Sequence, residues 1–137
     1  MRKASVLIGI CMLIALVLTL VAQTEADLPP IMKDVVATQK SLQTNIMNNA
    51  AADVASDAQK LQTDFTKAAG IFKALKAQDA VEKAKANADA AGEIVKAAKA
   101  NNMEAAKASA GTIQKSCKGC HDVHREQLPD KTYKFKP

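Results

Sequence analysis

Apolar residues recur along this chain at intervals of three or four positions, the spacing of one face of an α-helix. Four such stretches follow one another, and short polar segments separate them. No alternating strand pattern, glycine-rich phosphate loop or tandem repeat competes with this periodicity. The sequence therefore predicts an all-α protein, with apolar stripes that begin at Ile31, Val54, Val81 and Ala106.

Breaks in the periodicity set the expected helix ends, at Asn48-Asn49, near Lys76, at about Ala100 and before Pro129. The starts have their own signals. Pro29-Pro30 can open the first helix, because the first turn has no intrahelical partner for the missing amide protons. Asp79 and Asn101 are each followed by glutamate three residues later, which is the spacing of a capping box at the start of the third and fourth helices.

Four helices of this length with short polar connections favour an up-down-up-down antiparallel four-helix bundle. In this topology the start of the first helix and the end of the fourth lie at the same end of the bundle. A short basic tail follows from about Pro129, in which Tyr133 and Phe135 alternate with lysines. That alternation predicts an extended segment laid across the bundle.

The N-terminal segment is expected to lie outside this domain. Met1-Arg2-Lys3 is basic, residues 4–22 are almost wholly apolar, and a small polar stretch ends at Ala26, which is the pattern of a secretory signal. We favour cleavage after Ala26, although the apolar run is also long enough to remain as a membrane anchor. The expected organisation is a signal segment over residues 1–26, a single domain over residues 27–137, and export to the periplasm.

Cleavage would also change the composition. Without Arg2, Lys3 and Glu25, the 19 basic and 14 acidic residues become 17 and 13, a net charge of +4. Cys11 is lost as well, and only the two C-terminal cysteines remain. The chain has no tryptophan, one tyrosine and many alanines, so its core offers little apolar volume. A large bound cofactor would complete the packing of so small a domain.

The strongest chemical signal is Cys117-Lys118-Gly119-Cys120-His121, a CxxCH sequence. Each cysteine can form a thioether with a haem vinyl group, and the histidine can bind the iron. On a helix these three side chains project from one face. The motif predicts one covalently attached haem c, held by Cys117 and Cys120, with His121 as an axial ligand.

The second axial position decides the function, because a Met/His pair makes an electron-transfer iron whereas an open face admits small gases. The bundle topology brings Met32 to the same end as His121. Met47 lies about 22 Å further along the first helix, and Met103 lies about 27 Å from His121 along the fourth. We favour ligation by Met32 over its alternative role as an ordinary core methionine. His124, one turn past His121, cannot easily reach the opposite face of the ring, so we expect it to serve in hydrogen bonding.

The segment CKGCHDVHR, with arginine four residues after the motif histidine, resembles the end of the fourth helix in the class II cytochromes c, the cytochrome c prime and cytochrome c-556 group. The segment LPPIMK resembles their low-spin members and the related haem-b four-helix bundle cytochrome, in which an early methionine faces a late histidine. The resemblance spans Asp27 to Arg125. It implies His121 as proximal ligand and Met32 as distal ligand, and it implies that Arg125 lies near the haem propionates or a neighbouring helix.

These features predict a periplasmic monohaem c-type cytochrome that carries single electrons through a low-spin Met/His haem, and not an enzyme. The alternative is a five-coordinate haem protein of the cytochrome c prime type that binds NO or CO. The expected partner is a redox protein with an acidic surface, and no nucleic-acid binding is expected. Contact with the membrane is expected only through the N-terminal segment. The sequence allows either a monomer or a homodimer. The expectation of an acidic partner rests on lysines that flank the motif, namely Lys115, Lys118, Lys131, Lys134 and Lys136.

Two other uses of a CxxC sequence fit the chain poorly. A thiol–disulfide oxidoreductase needs a strand-helix-strand context and a reactive cysteine at a helix start. Here the motif lies late in a long predicted helix and is followed directly by histidine. A zinc site would need a second cysteine or histidine pair with ligand spacing, which the sequence lacks.

Overall fold

The structure is a computed structural model that describes residues 25–136. It contains four long helices, α1 (Leu28–Met47), α2 (Ala51–Ala74), α3 (Gln78–Lys99) and α4 (Met103–His124). Two short antiparallel strands follow, β1 (Arg125–Gln127) and β2 (Tyr133–Phe135). The predicted signal segment lies outside the described residues, apart from Glu25 and Ala26. Among residues 25–136, no helix has the length and apolar character that a membrane span requires.

Each helix packs along its length against the next one in the chain, whereas α1 and α4 touch each other much less. The predicted all-α, up-down-up-down antiparallel four-helix bundle is therefore confirmed. The seam between the first and the last helix is its most open part.

The three helix connections share one geometry. Asn49, Lys76 and Asn101 each follow a helix with a left-handed backbone, at φ values of 54°, 60° and 55°. The next amide in the chain then reaches back five residues to a helix carbonyl, as in the 2.9 Å bond from Ala50 N to Asn45 O. This is the Schellman motif, which satisfies the free carbonyls of a helix end. Such tight reversals hold successive helices side by side and antiparallel.

The two predicted capping boxes do not form as expected. Helix α3 begins at Gln78 without a side-chain cap, and Asp79 lies within its first turn. Helix α4 is capped by Asn102 rather than Asn101, since the Asn102 side chain accepts a 3.0 Å hydrogen bond from the Ala105 amide. Asn101 instead takes the left-handed position that ends α3.

The fourth helix ends at His124, earlier than the predicted end just before Pro129. The backbone of Arg125 is extended, at φ −112° and ψ 116°, and it begins strand β1. The extended segment predicted around Tyr133 and Phe135 is present as β2, but it pairs with residues that the periodicity had assigned to the helix.

The core is made of two clusters of mostly small side chains. One cluster extends from the middle of the bundle to the end where α1 finishes, and it includes the fully buried Leu42, Leu61, Ile94 and Ile113. The other lies at the end where α1 begins, and it contains Phe72 and several alanines. The partly buried side chains that pack against the second cluster include Met32, Cys120 and Phe135.

We expect Gly70→Ala to stabilise the protein by about 0.5–1 kcal/mol, because alanine loses less backbone entropy in a helix. Gly70 is exposed in α2, and a Cβ atom there would have no neighbour within 4 Å. Urea unfolding followed by circular dichroism measures the change. Gly92→Ala is the matched comparison: its Cβ would lie 2.9 Å from Nε2 of Gln62, so the gain should be smaller. Destabilisation by Gly70→Ala would contradict this account.

Candidate functional site

A cavity of about 740 Å³ lies at the end of the bundle where α1 begins and α4 ends. All four helices and both strands of the C-terminal segment contribute to its wall. Its volume falls within the range of roughly 300–1,000 Å³ that is typical of ligand sites. The structure brings all five residues selected from the sequence to this cavity, namely Met32, Cys117, Cys120, His121 and Arg125.

The two thiols project from one side of α4. Both are half-buried, and Nε2 of Gln39 on α1 donates to Sγ of Cys117 at 3.4 Å. Burial raises the pKa of both thiols; the Gln39 bond opposes this at Cys117, and the charge of Lys83 opposes it at Cys120. Reactive cysteines need the opposite shift, because the thiolate is the nucleophile. The surroundings therefore favour neutral thiols over a redox-active pair.

His121 is half-buried on the same wall, one helical turn from Cys117. Its pKa is lowered, first by burial and then by the positive charge of Arg125, with Asp122 acting in the other direction. The neutral imidazole is the form that binds a metal. The local environment therefore favours the form of His121 that can act as a ligand.

Met32 faces this wall from α1. The Gln39 side chain on α1 reaches Cys117 on α4, and Val35 and His121 lie four residues from this contact along the two antiparallel helices. Met32 lies three residues further, about 4.5 Å along the axis. Its flexible side chain can span such an offset. Met47 is 74% exposed, and among the described residues Met32 is the only methionine in the cavity wall.

The rest of the wall combines apolar and cationic groups. Val36 and Tyr133 are about half exposed and also line the cavity, so it reaches the molecular surface. The apolar part includes Leu28, Val35, Phe65, Phe72 and Ala84. The cationic part consists of Lys33, Lys83, Arg125 and Lys134.

Arg125 has a defined environment at this surface. Its guanidinium carbon lies 3.4 Å from the centre of the Tyr133 ring, a cation–π contact. The arginine is exposed and also lines the cavity, so it can meet an anion at the mouth without losing that contact.

Sequence reasoning missed two carboxamides of the wall, Gln39 and Asn87. Asn87 on α3 is only 5% exposed, and it lines the cavity. It interrupts an otherwise apolar stripe at Ala84, Ala88 and Ala91, and this interruption was the available signal. The C-terminal strands were missed as part of the wall because periodicity does not tell where a tail folds.

The donor set fits a haem better than a bare metal ion. Within the described part of the chain, no group of three or more His, Cys, Asp or Glu side chains could hold a metal ion. A haem iron needs only axial ligands from the protein. The cavity offers an imidazole and a thioether for them, two thiols for the vinyl groups, apolar walls for the ring and cations for the propionates.

Comparisons of this chain with known protein families, with curated proteins and with solved structures found no match.

We expect the thiols of Cys117 and Cys120 to react slowly when the folded chain carries no haem, because burial raises the pKa of both. Alkylation by iodoacetamide near neutral pH, followed by mass spectrometry, measures the rate. The same chain in urea is the reference. Alkylation that is faster in the folded state than in urea would indicate stabilised thiolates and would favour a thiol–disulfide oxidoreductase.

Proposed function

We propose that this protein is a monohaem c-type cytochrome of the class II kind and that it carries single electrons. The observation that carries the proposal is the meeting of the CxxCH side chains on α4 with Met32 on α1 at one cavity. The methionine was selected from the sequence because the antiparallel topology brings it to the end of the bundle where the motif lies. Their convergence supports a haem site with an imidazole on one wall and a thioether on the other.

In this proposal Cys117 and Cys120 hold the haem through thioether bonds, and His121 and Met32 are the axial ligands. The haem, when bound, supplies a one-electron iron couple. The protein's part is to bury the ring among apolar side chains, to limit the access of water and to set the reduction potential. A thioether ligand favours the reduced state and so raises that potential.

Arg125, Lys33 and Lys134 are the candidates to balance the propionate charges. They line the cavity from strands β1 and β2 and from α1. Arg125 follows His121 by four residues, so its guanidinium lies near the proposed iron ligand. Its positive charge contributes to lowering the pKa of His121.

A five-coordinate haem protein that binds NO or CO is the second candidate. It is favoured by one observation: the apolar Val35 lines the same cavity as His121, and Met32 lies three residues, about 4.5 Å, further from Gln39 along α1. If Met32 does not span this offset, the distal face would be lined by Val35 and would remain open to a small gas.

We further infer that the protein is exported to the periplasm, since residues 1–26 have the pattern of a secretory signal. The proposed redox partner has an acidic surface, because the exposed residues that rim the cavity include several cations. Lys118 contributes less to this surface than its sequence position indicates, since its Nζ lies 2.7 Å from Asp122 in an exposed ion pair.

We expect one haem to remain on the polypeptide after acid–acetone extraction of the exported protein. Thioether bonds survive this treatment, whereas a haem held only by axial ligands is extracted. Intact-mass spectrometry should give the chain plus one haem, and Cys117→Ala/Cys120→Ala should give the chain alone. An extractable haem, or a wild-type mass without haem after expression with a haem-attachment system, would refute the proposal.

We expect Met32→Ala to convert a low-spin, six-coordinate iron into one that takes up carbon monoxide readily, because the substitution removes the distal thioether. Absorption spectra of the reduced protein with and without the gas measure this. Met47→Ala is the matched control, since Met47 is exposed at the other end of the bundle. A wild-type protein that is already high-spin and binds the gas at once would favour the five-coordinate candidate.

A further inference from the structure

The segment after α4 has an ordered structure of its own. Strand β2 pairs with β1, and the turn between them is closed by the hydrogen bonds from Leu128 N to Thr132 O and from Lys131 N to Leu128 O, both 2.9 Å. The Asp130 carboxylate accepts from the amide and the hydroxyl of Thr132 at 2.9 and 2.6 Å. We call residues 125–136 the C-terminal hairpin.

An aromatic stack holds the hairpin to the bundle. The ring of Phe135 lies between Phe72 of α2 and His124 of α4, with ring centres 5.2 Å away in each case. The planes are inclined by 28° and 12°, so both contacts are stacked. Phe135 therefore joins the hairpin to the second core cluster.

His124 adds hydrogen bonds to this anchor. Its backbone carbonyl accepts from the Lys136 amide at 2.8 Å, and its Nδ1 lies 2.8 Å from the Lys136 carbonyl. Its Nε2 lies 2.8 Å from Oδ2 of Asp79 on α3. A carbonyl and a carboxylate are both acceptors, so the protonated ring, with two N–H groups, satisfies both.

The ring of His124 is nearly buried, with its side chain only 6% exposed. The hydrogen bond from His124 is also the main reason that the pKa of Asp79 is lowered. One buried side chain of α4 therefore links the hairpin to α3, where its partner Asp79 is 57% exposed.

The anchored hairpin forms one side of the cavity. Four of its residues beyond Arg125 line it, namely Leu128, Tyr133, Lys134 and Phe135. The side they form is next to the proposed iron ligand, because His121 lies one turn before His124 on α4. A haem in this cavity would be shielded on that side by the hairpin and not by a helix.

We propose that the C-terminal hairpin is a fixed cover over one side of the haem cavity and that His124 is the positioning residue that holds it there. The inference rests on the proposed haem site and adds a role for the end of the chain. Its consequence concerns the iron couple. Ferric haem carries one more positive charge than ferrous haem, and water stabilises that charge, so exposure of the ring lowers the reduction potential.

Two variants of the haem-loaded protein test the cover. Phe135→Ala removes the stack, and His124→Ala removes the ring that engages Asp79 and the Lys136 carbonyl. Gln127→Ala is the matched control, because Gln127 is exposed and uncharged in the same hairpin, and the 3.3 Å bond from its Nε2 to the Tyr133 hydroxyl is not part of the anchor. Phe135→Leu retains the apolar contact without the aromatic stack. We expect it to keep most of the Lys136 amide protection and most of the midpoint potential of the wild-type protein.

Two measurements are made on each variant. The first is hydrogen exchange of the Lys136 amide by NMR, which reports on the anchor whether or not haem is present. The second is the midpoint potential by optical titration. For Phe135→Ala and His124→Ala we expect a loss of amide protection together with a downward shift of the potential. Gln127→Ala should leave both unchanged.

Three results would overturn the inference. An unprotected Lys136 amide in the wild-type protein would mean that the hairpin is not anchored. Loss of protection with an unchanged potential would mean that it is anchored but covers no haem. Loss of helical circular dichroism in Phe135→Ala would mean that the tail is part of the folding core and not a cover. If no haem attaches at all, the proposed function fails, while the amide measurement still reports on the anchor.

Discussion

The open seam between α1 and α4 is the constraint on which the other features depend. Three tight connections hold each helix against the next, but no connection joins the first helix to the last. Across the seam, the sulfur contact between Gln39 and Cys117 lies beside the cavity, which extends from there towards the start of α1. Alanine-rich helices bring too little side-chain volume to fill this space. The same composition that favours helix therefore leaves room for a large planar group.

The bundle, and the meeting of the selected residues at one cavity, could be predicted from the sequence, because both depend on local spacing and topology. The role of these residues in holding a haem stays a prediction. Helical periodicity needs only the residues of one segment, and the CxxCH spacing places three side chains on one face of any helix. Met32 needed one further step, the antiparallel topology, which follows from four helices and short connections. In each case the relevant interaction partners are close in sequence or are set by topology.

The errors have the opposite origin. Asp79 has the spacing of a capping residue, but its carboxylate binds His124, a residue 45 positions away. A local sequence pattern shows that a residue could cap a helix. It does not show that a residue distant in sequence will bind the same side chain in the folded protein. The end of α4 was misjudged for the same reason, since strand β2 takes the backbone of Arg125 out of the helix. Asn87 was missed although it interrupts an apolar stripe, because the interruption alone does not show which cavity the carboxamide borders.

The electrostatics of the cavity favour the neutral forms of its cysteine and histidine side chains. They also favour a bound molecule that carries its negative charge near the cavity mouth. Burial raises the pKa of both thiols and lowers that of His121, so it acts against the charged form of each group. Arg125 adds to the effect on His121, whereas Lys83 opposes burial at Cys120. The positive charges around the cavity therefore gain most from a ligand that brings its own carboxylates to the rim. The proposed haem, with neutral side chains as its ligands and its propionates near the rim, would satisfy the buried groups and the exposed cations together.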